Sequence, residues 1–147
     1  MEKITVTRLG PSDLKAALHN VLTLWDEPPA EEDLQNFLDD AGNVLLAGYL
    51  TRIRGGELAG GLVGYVLKRW DGKAPMMFLY SIDVLDGQRR VGVASALIRE
   101  FHRIGREAGC RKAFVLTDEG NRPAMTLYVS SGARRPRRDD VLYEWEL

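Results

Sequence analysis

Cysteine is all but missing from this 147-residue sequence. The single thiol, Cys110, can close no disulfide within the chain, so nothing calls for an oxidising compartment. Histidine is nearly as scarce: His19 and His102 with one cysteine make a poor structural zinc site, and no metal is expected. Long apolar runs are lacking too. The longest uncharged apolar stretch, residues 41–51, falls far short of the roughly 20 residues that cross a bilayer. The opening Met1-Glu2-Lys3-Ile4-Thr5-Val6 has no apolar h-region and no small-residue cleavage site, so no secretory signal is read and a cytoplasmic location is expected. Nor does charge of one sign prevail. Twenty Lys and Arg face twenty-one Asp and Glu, where a dedicated nucleic-acid binder carries a basic excess. Neither nucleic acid nor a membrane is an expected partner. No repeat, low-complexity stretch or Pro/Gly/Ser linker divides the chain, and 45% hydrophobic residues suffice for a core. One domain over residues 1–147 is expected.

What is present is a readable rhythm. Ile4, Val6 and Leu9 suggest a strand closed by Gly10-Pro11. Ser12 or Asp13 can cap a helix whose Leu14, Ala17, Leu18, Val21 and Leu22 recur at helical spacing, until Pro28-Pro29 breaks it. A second helix over 30–40 carries Leu34, Phe37 and Leu38 on one stripe. Two β-rich runs, 44–53 and 58–68, flank Arg54-Gly55-Gly56-Glu57, a hairpin signal. A third β run covers 76–84, which predicts an antiparallel meander. The second half changes period. Residues 92–109 place Ala94, Leu97, Phe101, Ile104 and Ala108 on one helical stripe; a short strand over 113–117, a helix over 123–131 and a last strand over 141–147 follow. The pattern is a mixed α/β sheet with one parallel pair.

The most informative segment is Ser81-Ile82-Asp83-Val84-Leu85-Asp86-Gly87-Gln88-Arg89-Arg90-Val91-Gly92-Val93-Ala94, where a strand turns tightly into a long helix. Gly92 and Ala94 let backbone approach a ligand, and the free N–H groups of a helix start favour an anion beside two arginines. Such a turn can cradle a pyrophosphate or can be a solvated surface turn. Further on, Asn121-Arg122-Pro123-Ala124-Met125-Thr126-Leu127-Tyr128 lies on the next crossover helix. Together the two segments resemble the GNAT superfamily of N-acetyltransferases, in which R-x-x-G-x-G/A follows the fourth strand and N-x-x-A-x-x-L-Y the fifth. More narrowly, Gln88 to Ile98 and Asp118-Glu119-Gly120-Asn121-Arg122-Pro123-Ala124 resemble the aminoglycoside 3-N-acetyltransferase branch.

That resemblance implies a GNAT fold: a mixed, mostly antiparallel sheet of six to seven strands flanked by helices and splayed between the fourth and fifth. It implies acetyl-CoA as co-substrate in that splay. Ile82, Asp83 and Val84 would offer backbone groups to the pantetheine and polarise the thioester carbonyl. Arg89, Arg90, Val91, Gly92, Val93 and Ala94 would wrap the pyrophosphate, Asn121 would bind near the reactive end, and Tyr128 would protonate the departing thiolate. Taken without the motif, Tyr128 is also a core aromatic beside Leu127.

The base departs from the resembled branch. Its usual Asp-Leu-Ala-Val is here Ser81-Ile82-Asp83-Val84, with the carboxylate two residues later. On a regular strand two residues preserve the face, whereas a bulge would break that parity. Asp83 is the first candidate to bind or deprotonate the acceptor amine beside Ser81; Asp118 and Glu119 come next, and an ordered water is a further option. The acidic run Asp26, Glu27, Glu31, Glu32, Asp33, Asp39 and Asp40 spans fifteen positions without Lys or Arg. It is either a solvated helix face or a field for a cationic acceptor, with Asp26 and Glu27 at the expected entrance. His19 and His102 read as solvated helix residues, Cys110 as a small buried hydrophobe, and Trp25, Trp70 and Trp145 as core or edge packing. The cluster Arg134-Arg135-Pro136-Arg137-Arg138 reads as strand-end charge or an oligomer contact, and superfamily relatives leave a homodimer open.

Residues 1–88 hold eight basic and thirteen acidic side chains, while residues 89–147 hold twelve and eight. This split suits a cationic acceptor and an anionic co-substrate. The reading is thus acetyl transfer to a small cationic amine, foremost an aminoglycoside. Its rivals are acetylation of a polyamine, amino acid derivative or peptide N-terminus, and a non-catalytic acyl-CoA-binding module.

Overall fold

The alternation around Ile4 and Val6 folds as β1 (Lys3–Arg8) in a computed structural model that describes residues 3–51, 56–86 and 92–147. The chain divides into two compact units, Met1–Leu116 and Thr117–Leu147.

In the first unit α1 (Leu14–Trp25) and α2 (Glu31–Asp39) precede β2 (Asn43–Thr51), β3 (Gly56–Leu67) and β4 (Met76–Val84). The chain then forms α3 (Val93–Glu107) and β5 (Lys112–Val115). The described strands make one sheet in the order β1-β2-β3-β4-β5, antiparallel except for the parallel pair β4–β5. A right-handed crossover through a helix is the ordinary way to join such a pair, and α3 is that helix. Asp13 stands at the start of α1, but its carboxylate accepts from the Gly10 N–H at 2.7 Å and makes no bond to the helix. The hairpin turn expected near Arg54 lies outside the described residues.

Residue parity assigns the two sheet faces. A Cβ at Gly48 or Gly60 would meet Val93, and one at Gly64 would overlap the Phe101 ring, so from Gly60 onward the even positions of β3 face α3. There Val93, Leu97, Phe101 and Met77 are buried. Odd positions face α1 and α2, where Leu9, Ala17, Leu34, Leu38, Leu45 and Ala47 form a core cluster joined by Trp25 and Val63.

The second unit holds α4 (Arg122–Ser130), started by Asn121, whose side-chain oxygen accepts from the Ala124 N–H at 3.2 Å. Gly132 follows the helix with φ 97°. Such a left-handed residue stops a helix, and glycine adopts it without strain.

Three expectations are corrected. Five strands are found among the described residues, not six to seven. Residues 141–147 alternate in sequence but form no strand among the described residues, and Val141, Leu142, Tyr143 and Trp145 are exposed. Alternation describes what a strand would bury; the ladder itself needs a partner's backbone groups. Trp70 and Trp145, expected to pack, are exposed by 97% and 82%. Trp70 sits in the β3–β4 turn, away from either core face.

Candidate functional site

Near its C-terminal end β4 is irregular in a useful way. Val63 pairs with Ser81 but Gly64 pairs with Leu79, so Tyr80 is an extra residue and β4 bulges there. Beyond the bulge the register is even: Leu62 faces Ile82, Gly61 faces Asp83 and Gly60 faces Val84. Directly opposed residues share a face. Ser81 and Asp83 therefore point toward the side of α1 and α2, while Ile82 and Val84 point toward α3. The bulge precedes Ser81, so the two-residue displacement of the carboxylate keeps its face. Ser81, Ile82, Asp83 and Val84 are all half-buried. The Asp83 carboxylate accepts from the Val84 N–H at 2.9 Å. Pairing with β5 ends at Leu79 and Val115, so among the described residues strand β4 has a strand on one side only over Tyr80 to Asp83.

Three features of the same face were not read from the sequence. The first is an aromatic array. Tyr65 lies 5.8 Å edge-on from Phe37 and 5.9 Å from Tyr80, and Phe78 stacks on Phe114 at 4.8 Å. Tyr80 is exposed, and ring faces attract cations. Burial, and then the neighbouring Tyr80, push the Tyr65 phenol upward. The second is a cavity of about 270 Å³ bounded by Val21, Asp33, Leu34, Phe37, Val63 and Tyr65. The third is Asn20, discussed below. Period-two aromatics at Phe78 and Tyr80 were the available signal for the array.

At the other end of the cleft region, α3 begins at Gly92 with φ 89°, a conformation that favours glycine. Gly92 has no side chain with which to cap this fifteen-residue helix, and no acid occupies its first turn. The contrast with α2, whose first turn holds Glu31, Glu32 and Asp33, is direct. A helix start with no acid in its first turn fits a phosphate, and Val93 and Ala94 supply first-turn N–H groups. Arg89, Arg90 and Val91 lie outside the described residues.

In the second unit Tyr128 is half-buried on α4, and burial raises its phenol above the ordinary value. It stays protonated at neutral pH. Asn121 spends its oxygen on the helix cap, which leaves its NH₂ group to donate elsewhere. Asp118 accepts from the Asn121 N–H at 3.0 Å, and exposed Glu119 pairs with Arg135 at 2.8 Å. Arg137 lies 3.7 Å from Asp139 and 3.6 Å from Asp140, so part of the basic cluster meets local acids.

The acidic run divides by position. Glu31, Glu32 and Asp33 occupy the first turn of α2, where the dipole welcomes them. Asp26 and Glu27 follow the C-terminus of α1, the end that disfavours negative charge, and Asp26 holds φ 56° there. Helix stability does not explain those two. His19 is exposed as expected, but His102 is half-buried, and burial followed by the Arg106 charge lowers its imidazole. Cys110 is buried, which pushes its thiol up.

Residues 14–133 match the model of the acetyltransferase (GNAT) family. No curated protein matches the chain. Among solved structures, an aminoglycoside acetyltransferase, meta-AAC0020 from an uncultured soil metagenomic sample in complex with sisomicin, superposes with a TM-score of 0.85 at 22% identity, covering 98% of this chain and 96% of its own. The aminoglycoside N-acetyltransferase AAC(6')-Iy in complex with CoA gives 0.78 at 20% identity, over 100% and 97%. A ribosomal-protein-alanine N-acetyltransferase from Brucella melitensis biovar Abortus 2308 gives 0.69 at 19%, over 97% and 100%.

Proposed function

The chain belongs to the acetyltransferase (GNAT) family and is an acetyl-CoA-dependent N-acetyltransferase; from that premise we propose that its acceptor is a small amine-rich cation, an aminoglycoside. The observation that carries this reading is the shared face of Ser81 and Asp83, beside helices whose carboxylates include Asp26 and Glu27 at an unfavourable helix end. A negative field raises the local concentration of a cation and steers its approach. The complex of a similar protein with sisomicin and the aminoglycoside enzymes among the similar structures support the same acceptor class. The family match runs through both units, which supports one acyltransferase domain over residues 1–147.

Acetyl-CoA supplies an acetyl group already activated as a thioester. Gly92, Val93 and Ala94, with Arg89, Arg90 and Val91, hold its pyrophosphate. Backbone groups of Ile82, Asp83 and Val84 hold the pantetheine arm and draw charge onto the thioester oxygen. The Asp83 carboxylate binds the acceptor ammonium beside Ser81 and takes its proton, and the neutral amine can then attack. Asp118 and Glu119 are the second candidates for that task, while Asp26 and Glu27 guide the cation in. Asn121 donates near the reactive end. Tyr128, kept neutral by burial, gives its proton to the leaving thiolate.

The test is thiol release from acetyl-CoA with a panel of aminoglycosides, polyamines and peptide N-termini. Turnover highest with aminoglycosides is expected; turnover only with peptides, or none, contradicts the reading. Tyr128→Phe should lower kcat about a hundredfold while sparing acetyl-CoA binding. The motifs resemble 3-N enzymes whereas AAC(6')-Iy is a 6'-type relative, so we propose the 3-amine and the acetyl position on the product decides.

A further inference from the structure

Asn20 is the one buried polar residue among the described residues of the core, with an exposure of 0%. Both its Nδ2 and its Oδ1 lack a hydrogen-bond partner among the described residues. Such a side chain is costly to keep, because burial removes its water and nothing replaces it. Its surroundings show where a partner belongs. A Cβ on Gly61 would lie 3.0 Å from Oδ1 and 3.2 Å from Nδ2, so the amide hangs from α1 over the bare backbone of β3. Gly61 is paired with Asp83 on the same face, and opposed positions stand about 5 Å apart. The Asn20 amide and the Asp83 carboxylate thus flank a patch of strand without side chains. Ser81, the next inward-facing position on β4, lies beside them. Leu24 covers the amide from above, its Cδ1 standing 2.6 Å from the same Cβ position. Solvent is shut out from the amide, whereas Ser81 and Asp83 on the same face are only half-buried.

We propose that Asn20 is a binding residue for the acceptor's amine: its Oδ1 accepts from the nitrogen that Asp83 and Ser81 also hold. The chemistry suits the group. A primary ammonium has three donors and no acceptor, and the three oxygen-bearing side chains on this face match it. A carboxylate alone would hold any cation, whereas adding Asn20 and Ser81 selects a primary amine over a quaternary or fully substituted one. The proposal rests on the acetyl-acceptor reading above and adds to it the residue that fixes the amine's place.

The experiment compares the wild-type chain with Asn20→Leu and Asn20→Ala, using sisomicin and spermidine as acceptors and following thiol release and thermal unfolding. Leucine has nearly the shape of asparagine and no polar atoms to leave unpaired. Asn20→Leu should therefore raise Tm and lower kcat/KM for the acceptor about tenfold or more, with KM for acetyl-CoA unchanged. A residue kept for packing cannot give that opposite pair. Asn20→Ala, which leaves room for water, should show the same kinetic loss without the gain in Tm. Wild-type turnover with an unchanged acceptor kcat/KM in both variants overturns the role of Asn20 alone. A wild-type chain that turns over neither amine removes the acceptor reading, and this proposal falls with it.

Discussion

Against α3 the sheet is closed: Val93, Leu97, Phe101 and Met77 are buried, and glycines at 48, 60 and 64 let the helix settle onto the strands. Against α1 and α2 the same sheet is left incomplete. It keeps a cavity of about 270 Å³, an exposed Tyr80, half-buried Ser81 and Asp83, and an amide with no partner. Both faces come from the same three strands, so strand propensity does not explain the difference. What differs is that the α1/α2 face, besides its own apolar cluster, carries polar and aromatic side chains at Asn20, Tyr65, Tyr80, Ser81 and Asp83. The closed face holds the fold, and the incomplete one is where a second molecule can complete the interactions.

Variants on the two faces should therefore fail in different ways. The largest effect is expected at Phe101→Ala, which empties a fully buried ring site and should cost about 3–5 kcal/mol in denaturant unfolding. The folded fraction should retain its kcat/KM; a selective kinetic loss would break the contrast. Next comes Asp83→Asn, which removes a charge from the incomplete face. Acceptor kcat/KM should fall about ten- to a hundredfold with Tm nearly unchanged, and a large fall in Tm would make Asp83 structural. The smallest effect belongs to His102, on α3. Its lowered native pKa means the unfolded chain takes up a proton first, so its contribution is intact above about pH 6.5 and is lost as pH falls. Replacing it with Gln should narrow the Tm difference between pH 7.5 and 5.5 by about a degree, without changing kinetics at pH 7.5.

Much of this was legible in the sequence. Helical periodicity located α1, α2 and α3 to within a residue or two, because the apolar stripe that repeats in the sequence is the one the sheet buries. The face of Asp83 was legible only as a condition, since nothing in Phe78-Leu79-Tyr80-Ser81 announces that Tyr80 is the extra residue. Bulges arise from how two strands meet. Asn20 escaped notice because an apolar-stripe search passes over a polar residue on the buried side. Residues 141–147 misled in the opposite direction, alternating like a strand without forming one among the described residues. Tyr128 and Asn121 stand out only through motif spacing, a signal that periodicity alone does not give, and their roles remain part of the proposal.

The most direct measurement is amide and side-chain NMR of the isotope-labelled chain, saturated with CoA and titrated with sisomicin. Shifts concentrated at Asn20, Gly61, Ser81, Asp83 and the acidic ends of α1 and α2 are the predicted result. Shifts centred on Leu97, Phe101 and the outer side of α3, or none at a saturating concentration, would contradict the assignment of the acceptor to the incomplete face.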